Sequence, residues 1–167
     1  LDSANTVPAA DTDWFDETTR TGIIQQYNVS VSNGSEKGSS FFSLGYYKNI
    51  GIIKDSDFER FSARINSDYN LIGKFLTIGE HFTLNRTSEV QAPGGFLQNV
   101  LQFNPSLPVY DINGEYAGPV GGYPDRENPV ARLDRNSDNR YTYWRMFGDA
   151  YINLCLLYTS DAADDKA

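Results

Sequence analysis

The chain of 167 residues contains one cysteine, one histidine and one methionine. A single cysteine excludes an intrachain disulfide, and one histidine beside one cysteine is a poor ligand set for a metal. No stretch approaches the run of about 18 apolar residues that a transmembrane helix needs. Basic residues number 14 against 22 acidic ones, and this net charge of −8 argues against a nucleic-acid partner. No metal and no cofactor are predicted.

Aromatic residues, by contrast, are abundant. They make up 14% of the chain, as 11 tyrosines, 10 phenylalanines and two tryptophans, and glycine occurs 14 times. Such a composition is typical of strands joined by turns rather than of helices. The length suffices for one domain.

Five segments alternate apolar and polar residues with the period of a β-strand. In the clearest of them Phe61, Ala63 and Ile65 alternate with Ser62, Arg64 and Asn66. Successive side chains on a strand point to opposite faces, so each segment has one apolar and one polar face. We predict an all-β fold with strands at 27–32, 41–48, 59–70, 76–86 and 141–154.

The connections between these strands alternate in length. Residues 33–38 and 71–74 form short turns, 49–58 is longer, and 87–140 is a very long excursion rich in proline and glycine. Such a loop is uncommon inside a compact soluble domain. Outer-membrane barrels, however, combine short periplasmic turns with long extracellular loops. The order therefore favours an antiparallel meander from a transmembrane β-barrel over the alternative, a soluble β-sandwich that binds carbohydrate or mediates adhesion.

The barrel hypothesis assigns each side chain to a face. The lipid side, expected to be convex, is predicted to carry Phe42, Leu44, Tyr46, Phe61, Ala63, Ile65, Phe82, Leu84, Trp144, Met146 and Ile152. The concave lumen side is predicted to carry Arg60, Arg64, Asn66, Asp68, His81, Arg145 and Asp149. The strand order also places four aromatic residues near the extracellular ends of the lipid side, as an aromatic girdle requires: Tyr27, Tyr46, Phe61 and Trp144.

The sequence predicts no enzyme. His81 lies on a polar strand face with no nucleophile motif nearby, so we expect it to line the lumen or to be structural. Residues 134–139 resemble a calcium loop but lack the glycine and the bidentate glutamate that it requires. Residues 111–115 are better explained as a turn built on Asn113 and Gly114.

Both ends of the chain deviate from this pattern. Residues 155–165 match the translation of a transposase sequencing adapter, so we expect 155–167 to be non-native and give Cys155 no role. Leu1 is preceded by no initiator methionine, and we expect that the start of the protein is missing. The predicted organisation is therefore the remainder of an extracellular loop at 1–26, a barrel segment at 27–154 with its long loop at 87–140, and the foreign tail.

Several short motifs carry a family resemblance: residues 12–17, 26–32, 34–37, 42–47, 51–54, 58–61 and 139–144. On these motifs, residues 11–154 resemble a SusC/RagA-family TonB-dependent outer-membrane transporter. The resemblance implies about five early strands of a 22-strand barrel in the cell outer membrane of Bacteroidetes. The plug, the TonB box and the closing strands would lie outside this chain.

The function implied by the resemblance is TonB-dependent import of oligosaccharides or peptides, which the segment alone could not perform. Its implied partners are TonB, through a missing segment, a SusD-type surface lipoprotein, the transported substrate and outer-membrane lipid. Of the polar-face charges, Arg60, Arg64 and Asp68 are expected to contact the plug rather than the substrate. Three tyrosines of the long loop are candidates for stacking on sugar rings: Tyr110, Tyr116 and Tyr123.

Overall fold

The computed structural model describes residues 10–72, 75–118 and 126–155. Its main feature is one five-stranded antiparallel sheet in which neighbours in sequence are neighbours in space. The strands are β1 (Ile23–Ser35), β2 (Gly38–Ile50), β3 (Asp57–Ile72), β4 (Leu76–Val90) and β5 (Tyr141–Leu154). The meander predicted from the sequence is confirmed.

Four of the strands are longer than predicted, at 13 to 16 residues, and only β5 has the predicted bounds. The difference lies at the strand ends, where the apolar alternation fades but backbone pairing continues. Cys155 prolongs this pairing by one residue, because its backbone N–H donates to the carbonyl of Phe75 at 2.9 Å. Residues 156–167 of the predicted foreign tail lie outside the described residues.

The register of the sheet follows from contacts at three glycines. A Cβ on Gly45 would meet Ser62 Oγ at 2.6 Å and Asn28 Oδ1 at 2.9 Å, so these residues share the polar face across β1, β2 and β3. Gly79 lies between Asp68 and Tyr151 on the same face. Gly148 lies against Phe82 on the opposite, apolar face. The two faces therefore alternate along the strands as the sequence predicted.

The apolar face of the sheet is exposed. Trp144 is 58% and Ile152 69% accessible, and Val29 on β1 is 68% accessible. In a β-sandwich these side chains would be buried against a second sheet about 10 Å away. The described residues contain one sheet only, so the sandwich alternative is not favoured.

The described residues divide into two compact units. The strand unit comprises 26–47, 60–87 and 143–155, and the loop unit comprises 10–25, 48–59, 88–118 and 126–142. The loop unit holds the hydrophobic core, a cluster formed by Trp14, Phe96, Val100, Phe103, Leu107 and Leu133. Trp14 meets Phe103 edge-to-face at 4.7 Å between ring centroids, and its indole N–H donates to the carbonyl of Asn104 at 2.9 Å.

Three short helices build this core: α1 (Trp14–Thr18), α2 (Phe96–Gln102) and α3 (Pro129–Ser137). Asp13 caps α1 by accepting from the backbone N–H groups of Phe15 and Asp16. Asn128 caps α3 in the same way, followed by Pro129 in the first turn. We predicted a long loop over 87–140 without helices; in its described residues β4 runs on to Val90, and the helices α2 and α3 follow.

None of the helices in the described parts of the chain combines the length and apolarity required to span a bilayer.

Candidate functional site

Asp68 is the centre of a hydrogen-bonded group on the polar face of the strand unit. The Tyr151 hydroxyl, two strands away on β5, donates to Asp68 Oδ1. The Ser39 hydroxyl on β2 donates to Asp68 Oδ2 at 3.3 Å. Tyr151 reaches this far because Gly79, on the strand between, has no side chain in its path.

His81 lies beside this group. Its Nδ1 is 3.2 Å from Asp149 Oδ2, and its ring centroid is 5.6 Å from that of Tyr151. Both members of the His81–Asp149 pair are largely exposed, at 45% and 64% of their side chains, so the pair adds little to stability. The lumen-lining or structural role expected for His81 stays a prediction.

Arg60 and Arg64 lie farther along the same face, away from these carboxylates. The Arg60 guanidinium packs on the Tyr47 ring at 5.7 Å from its centroid. Both arginines line a cavity of about 270 Å³ whose other lining residues are Ser43, Ser62, Ala63, Thr83 and Asn85. No carboxylate lines this cavity.

Arg145 on β5 is placed differently from the other two arginines. Its guanidinium stacks on the Tyr143 ring of its own strand, 5.0 Å from the centroid, and it is not among the residues of the cavity. The side-chain amide of Asn66 on β3 has no hydrogen bond with the described residues. Of the seven polar-face residues predicted as a group, Asp68, His81 and Asp149 belong to an acidic cluster, Arg60 and Arg64 line a basic cavity, and Arg145 and Asn66 belong to neither.

The second candidate site is a hairpin in the loop unit. Tyr110 and Tyr116 face each other across an antiparallel bridge, and their rings stack with centroids 5.2 Å apart. The turn between them uses Gly114 at a φ of 83°, a conformation that favours glycine. Both rings remain partly exposed, at 51% and 37%, so each has an outer face available for a ligand. Tyr123 lies outside the described residues.

The carboxyl of Asp111 belongs to the turn of this hairpin. Its Oδ1 accepts from the backbone N–H groups of Asn113 at 2.8 Å and Glu115 at 3.0 Å. The bond from Glu115 is the main cause that holds the pKa of Asp111 below its usual value. Desolvation raises the pKa of the Tyr116 hydroxyl, and the charge of Asp134 adds to this shift. The turn predicted over 111–115 is confirmed.

The calcium-like run at 134–139 does not form a loop. Asp134 to Ser137 belong to α3, and Asp138 is its C-cap. Within the described residues, no three histidine, cysteine or acidic side chains are grouped to hold a metal ion.

Comparison with known proteins identifies the architecture. No protein-family model matches the chain. The chain is 30% identical over 142 residues to TonB-dependent receptor SusC of Bacteroides thetaiotaomicron, which covers 80% of the chain and 13% of that receptor. It is 29% identical over 154 residues to TonB-dependent receptor P3 of Formosa agariphila, covering 85% of the chain and 15% of the relative.

Solved structures agree in fold. The structure of the RagAB peptide transporter matches this chain with a TM-score of 0.66 and a sequence identity of 19%. The match covers 93% of this chain and 19% of the chain in that structure. The closed-closed state of the RagAB peptide importer matches 92% of this chain and 18% of its own with a TM-score of 0.65, also at 19% identity.

The chain belongs to the SusC/RagA-like TonB-dependent receptors. It spans 13 to 15% of the length of the curated relatives it matches.

In this receptor segment, sequence reasoning missed two polar-face residues, Tyr151 and Gly79. The alternation along β5 gave no reason to pair Tyr151 with Asp68. A glycine inside a predicted strand is a signal of close approach by another group, and Gly79 carried that signal. The partner that approaches Gly79 depends on strand register, which the alternation alone does not specify.

Proposed function

We propose that this receptor segment forms part of the barrel wall of an outer-membrane transporter, which imports oligosaccharides or peptides by TonB-dependent transport. The support is the family membership together with a single sheet that leaves one whole apolar face uncovered. Lipid would cover this face in a barrel, where lipid-facing and lumen-facing side chains alternate.

The observation that carries the proposal is a row of aromatic side chains across the apolar face. Tyr27 and Tyr46 stack with centroids 6.4 Å apart. Gly45 lies opposite Ser62, so on the other face Tyr46 lies opposite Phe61. By the same register, Arg86 on β4 lies opposite Phe61, and Trp144 on β5 lies opposite Arg86, so the row ends at Trp144. Rings of this kind mark the interface between hydrocarbon and headgroups.

The polar face would then line the lumen. We propose that Arg60, Arg64, Asn66, Asp68, His81, Arg145 and Asp149 face the plug or the passing substrate. The exposed outer faces of Tyr110 and Tyr116 would contact substrate from the loop unit, because sugars and side chains stack on aromatic rings. A SusD-type surface lipoprotein, TonB and outer-membrane lipid are the proposed partners.

Transport can be tested in the bacterium that encodes the full-length receptor. Deleting the gene should abolish uptake of labelled oligosaccharides or peptides that the wild-type strain imports. Collapse of the proton gradient should stop uptake while surface binding persists. A receptor that is released as soluble protein, or uptake that continues without the gradient, would contradict the proposal.

A further inference from the structure

Among the described residues, most of the hydrogen-bond donors that line the basic cavity have no partner; the exception among the hydroxyls is Ser62, which donates to the carbonyl of Gly45 at 3.3 Å. On the acidic part of the face, Asp68 accepts from the Tyr151 hydroxyl, and His81 pairs with Asp149. Within the described residues, the Arg64 guanidinium, the hydroxyls of Ser43 and Thr83 and the Asn85 amide form no hydrogen bond or ion pair.

The groups that line the cavity are either positively charged or neutral. Two guanidinium groups contribute positive charge, and Ser43, Thr83 and Asn85 add neutral donors. The Arg60 guanidinium packs on the Tyr47 ring, and among the described residues it forms no ion pair with an acidic side chain. Guanidinium groups match oxyanions in charge and in planar, bidentate geometry.

Size and location also suit a small anionic group. The volume of about 270 Å³ accommodates one carboxylate or sulfate group together with a few water molecules. Asp68 lies four residues along β3 from Arg64; its carboxylate accepts from the Tyr151 and Ser39 hydroxyls, and among the described residues it forms no ion pair with either arginine.

We propose that this cavity binds a single oxyanion, a carboxylate or a sulfate group. The inference rests on the proposed function for the lumen location of the face, and it narrows the groups that the receptor recognises there. The oxyanion has two sources, a solute in the lumen or an acidic side chain of another segment of the full-length receptor. Two measurements distinguish these two sources of the oxyanion.

The first arm measures the binding of radiolabelled inorganic sulfate to the full-length receptor, purified in detergent, by equilibrium dialysis. This measurement needs neither TonB nor a known substrate. Arg64→Gln should weaken sulfate binding by about tenfold or more, since about 1.4 kcal/mol of lost charge-assisted bonding is tenfold in affinity. Arg64→Lys should retain part of it. Arg86→Gln, which removes the same charge from the apolar face, is the matched control and should bind like wild type.

The second arm compares the unfolding temperature of the same variants without added anion. Stoichiometric sulfate binding that Arg64→Gln abolishes assigns the oxyanion to a solute. The oxyanion belongs to the receptor itself if no variant binds sulfate, Arg64→Gln unfolds at a lower temperature than Arg86→Gln, and Arg64→Lys restores the unfolding temperature. Equal sulfate binding in all variants, or no binding and no difference in stability, overturns the proposal. Because neither arm measures uptake, a failed transport experiment and a failed anion site remain distinguishable.

Discussion

At the scale of single residues, adjacent positions on one strand have opposite surroundings. Ile65 lies on the exposed apolar face of β3 and is 42% accessible, whereas Asn66 lies on the polar face in line with His81. The same substitution at the two positions therefore tests which face meets lipid.

Ile65→Arg in the full-length receptor should lower the free energy of unfolding in lipid vesicles by about 2–4 kcal/mol, because an unpaired charge would lie near the bilayer midplane. Asn66→Arg should cost far less, since on the proposed orientation its side chain would enter the aqueous lumen. Denaturant titration of both variants refolded into vesicles gives the comparison. Equal penalties, or the reverse order, would show that the faces are assigned wrongly.

Gly79 is a second residue whose identity the structure explains. A Cβ there would overlap the Tyr151 ring and Asp68 Oδ1. Gly79→Ala should therefore cost about 1–3 kcal/mol of unfolding free energy, in the range of overpacking substitutions, by displacing Tyr151 from Asp68.

A double-mutant cycle with Tyr151→Ala measures this coupling. Gly79→Ala should cost much less once the ring is gone, and Gly34→Ala, with no atom within 4 Å of the new Cβ, serves as the control. Additive effects of the two substitutions would exclude the packing of Tyr151 over Gly79.

At the scale of elements, the three helices depend on a core that the strands do not provide. Leu133 on α3 is 2% accessible and packs in the cluster with Trp14 and Phe96. Each helix has 5 to 9 residues, too short for stability in isolation, so packing must hold them.

Leu133→Ala should lower the free energy of opening of the loop unit by about 2–5 kcal/mol, as expected when a buried leucine leaves a cavity. Hydrogen exchange of amides in α2 and α3 measures this opening. Leu101→Ala, at a position that is 78% accessible, should change protection little. Unchanged exchange in Leu133→Ala would mean that this core does not hold the helices together.

At the scale of the whole molecule, the two tryptophans report on different environments. Trp14 is 4% accessible in the loop-unit core, whereas Trp144 is 58% accessible in the aromatic row. If the row lies at the membrane interface, only Trp144 is within reach of lipid.

Lipids brominated near the headgroup should quench Trp144 in vesicles that contain the full-length receptor. Trp144→Phe should then reduce the quenched part of the fluorescence, while Trp14→Phe should leave it unchanged. Lipids brominated at the chain end should quench Trp144 less. Identical quenching of the wild type and Trp144→Phe would place this face outside lipid.

Strand positions and faces were determined by the sequence itself. The reason is local: a period of two residues places Phe61, Ala63 and Ile65 on one side and Arg60, Arg64 and Asp68 on the other, whatever the neighbours are. The aromatic row followed from the same period combined with loop order. The turn at Asn113 and Gly114 was likewise readable, because it depends on the conformational freedom of one glycine.

Only the tertiary structure decided what these residues contact. Tyr151 meets Asp68 across 83 positions of sequence, and Trp14 donates to Asn104 across 90. Such pairs depend on register and on how the connections fold back, which no local period encodes. The helices in 87–140 escaped prediction because they are short and held by this distant packing rather than by their own pattern. For the same reason the sequence predicted a polar face, but the division between paired acids and free arginines emerged only when the strands were brought together.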